Sequence, residues 1–191
     1  RGEGNRLGSL GAAYHSLGQM EQAIDHYQQA LLISREIGNR RGEGGLLGNL
    51  GNAYRNLDQV DQAIDNYQQA LVIARAIGNR LDEGMWLRNL GNAYRAIGQV
   101  DKAIKHNQQA LLITREIGDR RGEGLRLGNL ASTYENQGDL PRAVPLAAAA
   151  HQILAEIKSP HKDWAFSVLN RLHQKLGDAA FNAALSQPPN P

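Results

Sequence analysis

Residues 41–80 read RGEGGLLGNLGNAYRNLDQVDQAIDNYQQALVIARAIGNR, and residues 81–120 read LDEGMWLRNLGNAYRAIGQVDKAIKHNQQALLITREIGDR. The two agree at 24 of 40 positions, and the same frame continues on both sides. Leu10, Leu50, Leu90 and Leu130 fall 40 apart, as do Tyr14, Tyr54, Tyr94 and Tyr134, and Ala23, Ala63, Ala103 and Ala143. A fixed period of this length marks a stacked array in which each unit buries its apolar face only against its neighbours. Arrays of this kind present a long surface, which points to a scaffold for a partner.

Within one period two helical faces alternate. Leu46, Leu47, Leu50, Ala53, Tyr54 and Leu57 recur at three- and four-residue steps, the signature of an amphipathic helix. Asp58-Gln59 interrupts, and Val60, Ala63, Ile64, Tyr67, Ala70, Leu71, Ile73 and Ile77 begin a second face. Gly78 closes it, as Gly38 and Gly118 do in their copies, because glycine takes positive φ freely just past a helix end. Asn79 or Asp119 then caps the next helix. So short a turn forces the helices antiparallel, and each period is a helical hairpin. Gly51 and Gly91, mid-helix at a cost of about 1 kcal/mol against Ala, are read as points of close helix approach opposite Ala63 and Ala103.

These residues resemble the tetratricopeptide repeat, whose pattern of a bulky apolar residue, Leu-Gly, Tyr, Ala, an aromatic and Ala is met by Leu47, Leu50-Gly51, Tyr54, Ala63, Tyr67 and Ala70. The third copy keeps Leu87, Leu90-Gly91, Tyr94, Ala103 and Ala110 but puts Asn107 at the aromatic position. The period is longer than the 34 residues of the common repeat, and Arg35, Arg75 and Arg115 replace the usual terminal Pro, which lets the second helix run further. The longer form looks like Leu-Gly-Asn repeat proteins and kinesin light chain, and closest to bacterial arrays of signalling proteins; Leu50-Gly51-Asn52 and Leu90-Gly91-Asn92 carry that signature. The resemblance implies an all-α fold: a right-handed superhelical solenoid of antiparallel hairpins over 1–38, 39–78, 79–118 and 119–158. Capping helices follow over 159–187, where Trp164, Phe166 and Leu169 are expected to cover the last hairpin, and then a disordered tail, 188–191.

The chain opens at Arg1-Gly2-Glu3-Gly4, in phase with Arg41-Gly42-Glu43-Gly44 and without an initiator Met, which reads as a fragment of a longer array. The pattern degrades from Pro141 through Pro145 and the Ala147–Ala150 run, which reads as a natural C-terminal close.

Composition narrows the function. The chain is 41% hydrophobic, 21% charged and 5% aromatic, with no Cys and a formal net charge of +2. No apolar run reaches the roughly 18 residues of a membrane span, and Arg1–Gly11 is no secretory signal. The missing cysteines remove disulfides, thiol nucleophiles and Cys-based zinc sites, and fit a cytoplasmic setting. So small a net charge argues against nucleic acid, and a one-base-per-repeat RNA code would demand more varied side chains than these columns hold. Gly2-x-Gly4-x-x-x-Gly8 and its copies invite a phosphate-loop reading, but a helix end precedes them where a strand is needed, so they are read as helix–helix junctions. The histidines show no metal-ligand spacing, and His26, Asn66 and His106 share one repeat position. No nucleophile or acid–base pair can be isolated, so the expectation is a non-enzyme without metal or cofactor.

The polar residues that the period repeats on the first helix are the candidates for binding. Asn49, Asn89 and Asn129 form one column, and Asn52 and Asn92 a second. Arg55 and Arg95 form a third, with Arg88 one turn before Asn92. The resemblance implies that first helices line the concave surface and that these positions touch bound peptide. Asn both donates and accepts, so a column of them suits an extended backbone, and Arg offers forked donors to carboxylates. The competing reading has Asn bridging helices within the array. Gln28-Gln29, Gln68-Gln69 and Gln108-Gln109 fall on the second helix and are read as a solvated outer face. The expected partner is an extended or partly helical acidic peptide, held in a groove made positive by Arg55, Arg88 and Arg95 against Glu135. The alternative is self-association through the open N-terminal hairpin.

Overall fold

The computed structural model describes residues 2–189, so Arg1 and the last two residues of the expected tail lie outside the described residues. The described residues are helical throughout, with no strand. In chain order the helices are α1 (Gly2–Ser16), α2 (Met20–Glu36), α3 (Arg40–Asn56), α4 (Val60–Ala76) and α5 (Arg80–Ala96). They continue with α6 (Val100–Glu116), α7 (Arg120–Asn136), α8 (Leu140–Glu156), α9 (Lys162–Leu176) and α10 (Asp178–Leu185). The chain folds as two compact units, residues 1–103 and 104–191, and α6 begins in the first and lies mostly in the second.

Local chemistry sets the helix ends. Gly38, Gly78 and Gly118 have φ between 67° and 71°, directly after the last turns of α2, α4 and α6. The reversal lets the next N–H reach back: Asn79 N–H donates to the Ala74 carbonyl at 2.9 Å. The following helix then starts on a side-chain cap. Asn39 Oδ1 accepts from Gly42 N–H at 3.1 Å, and Asp119 Oδ1 from Gly122 N–H at 2.8 Å. The Arg-Gly-Glu-Gly stretch is therefore the first turn of a helix, as the junction reading expected. Within the hairpins the turn is held by Gly18, Gly98 and Gly138 at positive φ, and at the same position by Asp58 at φ 58°.

In the first unit, Leu47, Leu50 and Ala53 of α3 pack against a face built from Ala63, Tyr67 and Ala70 of α4, all 2% exposed or less. Burying each Leu contributes roughly 1.5–3 kcal/mol. The mid-helix glycine admits an aromatic ring. A Cβ on Gly51 would stand 2.6 Å from Tyr67 Cε1, and one on Gly11 the same distance from Tyr27 Cδ1. The close approach expected at Gly51 is present, but its nearest partner is the Tyr67 ring and not Ala63.

The second unit centres on Leu127, Leu130, Leu146, Leu154 and Val144, all fully buried. α8 runs unbroken through Pro145, with Pro141 in its first turn, where a missing N–H costs nothing. α9 and α10 close this core, but not with the residues expected. Ala165, Val168 and Leu172 are fully buried, and Phe181 and Ala184 of α10 join them. Trp164 is 36% and Phe166 47% exposed, while Leu169 packs at the margin. Spacing decides this: 165, 168 and 172 share one face of α9, and 164 and 166 flank it. Trp164 instead lays its ring edge over Gly128, where a Cβ would meet Cη2 at 2.5 Å.

Candidate functional site

Within the first unit, α1 packs on α3 and α3 on α5, whereas the described residues of α2 and α4 make no such approach. The first helices thus form the tighter side, and their free faces form a continuous surface. A cleft of about 530 Å³ between α1 and α3 opens on it, walled by Gly8, Ser9, Gly45, Leu46 and Asn49. The equivalent cleft between α3 and α5 is shut. Trp86, 3% exposed, stands in Leu46's repeat position and lies on Gly48, where a Cβ would be 1.9 Å from Cη2.

Beside Trp86 runs a hydrogen-bonded chain linking three helices. The Tyr67 hydroxyl of α4 donates to Asn52 Oδ1 of α3 at 2.7 Å. Asn89 Nδ2 of α5 donates to the same oxygen at 3.3 Å, and Arg88 Nε donates to Asn89 Oδ1 at 3.2 Å. Burial pushes the Tyr67 hydroxyl above its ordinary pKa, and the positive charges of Arg55 and Arg88 offset part of that rise. Tyr67 stays a neutral donor at physiological pH.

The candidate residues therefore divide by environment. Asn89 is 3% exposed and committed to its neighbours, which is the bridging alternative raised from the sequence. Asn52 is half-buried with its oxygen doubly occupied, while its Nδ2 bonds to nothing among the described residues. Asn92 is half-buried with a side chain that makes no hydrogen bond among the described residues, and Asn49 lines the open cleft. Arg55 and Arg88 are half-buried, Arg95 is exposed, and none meets a carboxylate among the described residues. Asn129 belongs to α7 in the second unit and is half-buried there. In that unit the Glu135 side chain, 5% exposed, is held by Arg171 at 3.2 Å and Lys175 at 2.7 Å from α9.

These arginines contrast with Arg35, Arg40, Arg75, Arg80, Arg115 and Arg120 at the hairpin junctions, each of which meets a buried glutamate. Glu43, its side chain 8% exposed, takes Arg35 Nε at 3.0 Å and Arg40 Nη1 at 2.6 Å. Glu83 receives Arg75 and Arg80 in the same way, and Glu123 receives Arg115 and Arg120. The arginine that replaces the family's proline is thus one jaw of a clamp joining a second helix to the next first helix. The repeated glutamines do related work. Gln28 Nε2 donates to Tyr54 Oη at 3.2 Å, and Gln68 Nε2 to Tyr94 Oη at 2.9 Å, although both glutamines are exposed. The solvated-face reading missed these bonds. Their signal was available: the Gln and Tyr columns repeat together, 26 residues apart.

Neither a group of His, Asp and Glu able to hold a metal nor a helix long and apolar enough to cross a membrane occurs among the described residues. Two family models, each described as tetratricopeptide repeat, match residues 43–116 and 5–36 and together span more than half the chain. The chain belongs to the tetratricopeptide repeat family. As a member it is a protein–protein interaction scaffold built of helical repeats. No curated protein sequence is significantly similar to it. Among solved structures, a putative kinesin light chain of Podosopora anserina with nearly identical TPR-like repeats is 20% identical with a TM-score of 0.76, over 94% of this chain and 93% of that one. BtubC (BKLC) from P. vanneervenii is 18% identical with a TM-score of 0.82, over 98% and 83%. A Rap protein complexed with competence and sporulation factor is 18% identical with a TM-score of 0.71, over 96% of this chain and 51% of that one. At these identities the likeness is one of fold.

Proposed function

We propose that the surface of α3 and α5 holds an extended or partly helical acidic segment of a partner protein in the cytoplasm, without catalysis. The observation that carries this reading is that Arg55, Arg88 and Arg95 meet no acid among the described residues, while Arg35, Arg40, Arg75 and Arg80 each do. A partner's Asp or Glu would supply the missing counter-charge through charge-assisted bonds. The free amides of Asn92 and Asn49 suit the segment's backbone, with Asn129 as the corresponding residue on α7. Asn52 and Asn89 act from behind, fixing Arg88 to the Tyr67 hydroxyl. The Rap protein held with competence and sporulation factor supports treating this fold as a ligand carrier.

The test is titration of a fluorescent twelve-residue peptide library graded in Asp and Glu content. Affinity should rise with acidity and fall with salt, since exposed charges are screened within about 8–10 Å. Arg95→Glu is the cleanest variant, because that side chain is exposed and makes no bond among the described residues; Arg88→Glu also removes the donor to Asn89. Each should weaken binding by roughly tenfold or more; Arg95→Glu should leave the melting temperature unchanged, whereas Arg88→Glu should lower it because the buried Asn89 loses its donor. Acidic peptides that bind both variants as well as wild type would remove the assignment.

A further inference from the structure

Helix α5 offers solvent one narrow seam. Between Leu81 and Arg95 the open positions are Leu81, Asp82, Met85, Arg88, Asn92 and Arg95, and every other position is buried. The Asp82 carboxylate is taken by the cap, accepting from Asn79 Nδ2 at 2.7 Å. The remaining five fall at alternating steps of four and three residues, the spacing of a helix–helix seam, and run along one side of α5 for about 21 Å. Two chemistries divide this seam. Arg88, Asn92 and Arg95 form its C-terminal half, and neither arginine meets a carboxylate among the described residues. Its N-terminal half is apolar, with Leu81 67% and Met85 36% exposed. The apolar pair belongs to this hairpin and not to the repeat, because the same positions hold Arg41 and Gly45 on α3 and Arg121 and Leu125 on α7.

Taking the acidic contact proposed above as given, we infer that the bound segment is an amphipathic helix of a separate protein, laid antiparallel along α5, with acids in its N-terminal half and two bulky apolar residues in its C-terminal half. The seam's rungs are one helical turn apart, about 5.4 Å, and a second helix keeps step with them. An extended segment, whose same-side residues lie about 6–7 Å apart, drifts out of register within the seam's length. Carboxylates are favoured in the first turns of a helix, where the dipole is positive. Matching those acids to Arg88 and Arg95, in the C-terminal half of α5, fixes the antiparallel direction. The facing residues are then Glu or Asp at positions j and j+7, a neutral polar residue at j+3 against Asn92, and Leu or its like at j+10 and j+14. These last two cover Met85 and Leu81, and the flexible methionine adapts to either shape.

The probe is a synthetic helical peptide, stapled on its far side, with Glu at j and j+7, Gln at j+3 and Leu at j+10 and j+14. A second peptide replaces both leucines by Gln, and a third carries the five facing residues in reverse order. Titrated into the whole chain and followed by fluorescence anisotropy, the first should bind about tenfold or more tighter than either of the others. Leu81→Gln combined with Met85→Gln should erase the difference between the first two peptides, leaving the second peptide's affinity and the melting temperature unchanged. Added salt should weaken both alike, so that their ratio persists. Equal binding of the first two, or a ratio that survives the double variant, overturns the inference. The acidic contact still stands in that case if Arg95→Glu weakens the second peptide. No effect of Arg95→Glu on either peptide removes the acidic contact and the inference with it. A reversed peptide that binds as well as the first also overturns it. So does a dimer, seen by light scattering over a concentration series and dissolved by the double variant, because the seam would then belong to a second copy.

Discussion

The clamp at Glu43 is the sharpest place to test the energetics of the junctions. Its side chain is 8% exposed, whereas those of Arg35 and Arg40 are 46% and 52% exposed. Removing one arginine leaves the carboxylate with the other. Because the lost guanidinium stood half in water, Arg35→Ala or Arg40→Ala should each cost about 1 kcal/mol, near the upper end for exposed pairs. Removing both leaves a carboxylate out of water with no cation, a loss on the order of 3–5 kcal/mol. The α3 N-terminus returns up to about 1 kcal/mol, since Glu43 stands in the first turns, where the helix dipole favours negative charge. The double variant should therefore lose about 3 kcal/mol against about 2 kcal/mol for the sum of the singles. Glu43→Gln frees two arginines that water can reach, and should cost only about 1 kcal/mol. Urea unfolding followed by circular dichroism at 222 nm measures all four variants, and unchanged m-values show that the same surface is exposed. A double variant no worse than the sum, or a Glu43→Gln as damaging as the double, would refute the view that the buried acid is the vulnerable partner.

Further outcomes are expected elsewhere. Gly48→Ala should lower stability by about 1 kcal/mol or more, since a Cβ there collides with the confined Trp86. Gly45→Ala on the same helix meets nothing within 4 Å and should raise stability by about 1 kcal/mol; thermal melts compare the two. Asp58→Gly should stabilise by about 0.5–1 kcal/mol by relieving a positive φ of 58°, read as a shift in urea midpoint. Trp164→Ala should cost about 1–2 kcal/mol, less than the 2–5 kcal/mol of Leu172→Ala, because only the ring edge of Trp164 is covered. Burial pushes the Glu135 carboxyl up, but hydrogen bonds and charge from Lys175 and Arg171 outweigh it and hold its pKa below the ordinary value. A depressed folded-state pKa contributes stability that is complete above the unfolded value, about 4.3, and fades as pH falls through the folded one. The stability gap between wild type and Glu135→Gln, measured from pH 6 to pH 3, should be constant above about pH 5 and close below it.

Much of the fold was legible because a period is a statement about packing. Residues that recur at three- and four-residue steps and then again after 40 must face the same kind of neighbour each time, and Gly78 and Asn79 behave as their chemistry dictates at a helix junction. What stayed hidden depends on partners across helices. Nothing in Asn89 itself tells that it turns inward to Asn52 while Asn92, three residues on, does not. Trp86 sits at a position occupied by Leu46 in the previous copy, so the period gave no warning that an indole closes that cleft over Gly48. In α9 the large residues drew attention, yet the covering face is set by 165, 168 and 172, where Ala and Val fit the close approach to α8 better than an aromatic would.

The junction contacts have a bearing on how such a chain can change length. Arg35 meets Glu43 across a turn whose counterpart joins Arg75 to Glu83, and Gln28 meets Tyr54 as Gln68 meets Tyr94. Each connector fits every socket. Excising residues 41–80 would bring Arg35 to Glu83 and Gln28 to Tyr94, so both kinds of junction contact would re-form. Duplication or loss of a 40-residue block thus keeps the junction contacts while it lengthens or shortens the surface offered to a partner. The same interchangeability lets a hairpin in one molecule dock onto the wrong neighbour during folding, a hazard that grows with the likeness of adjacent copies.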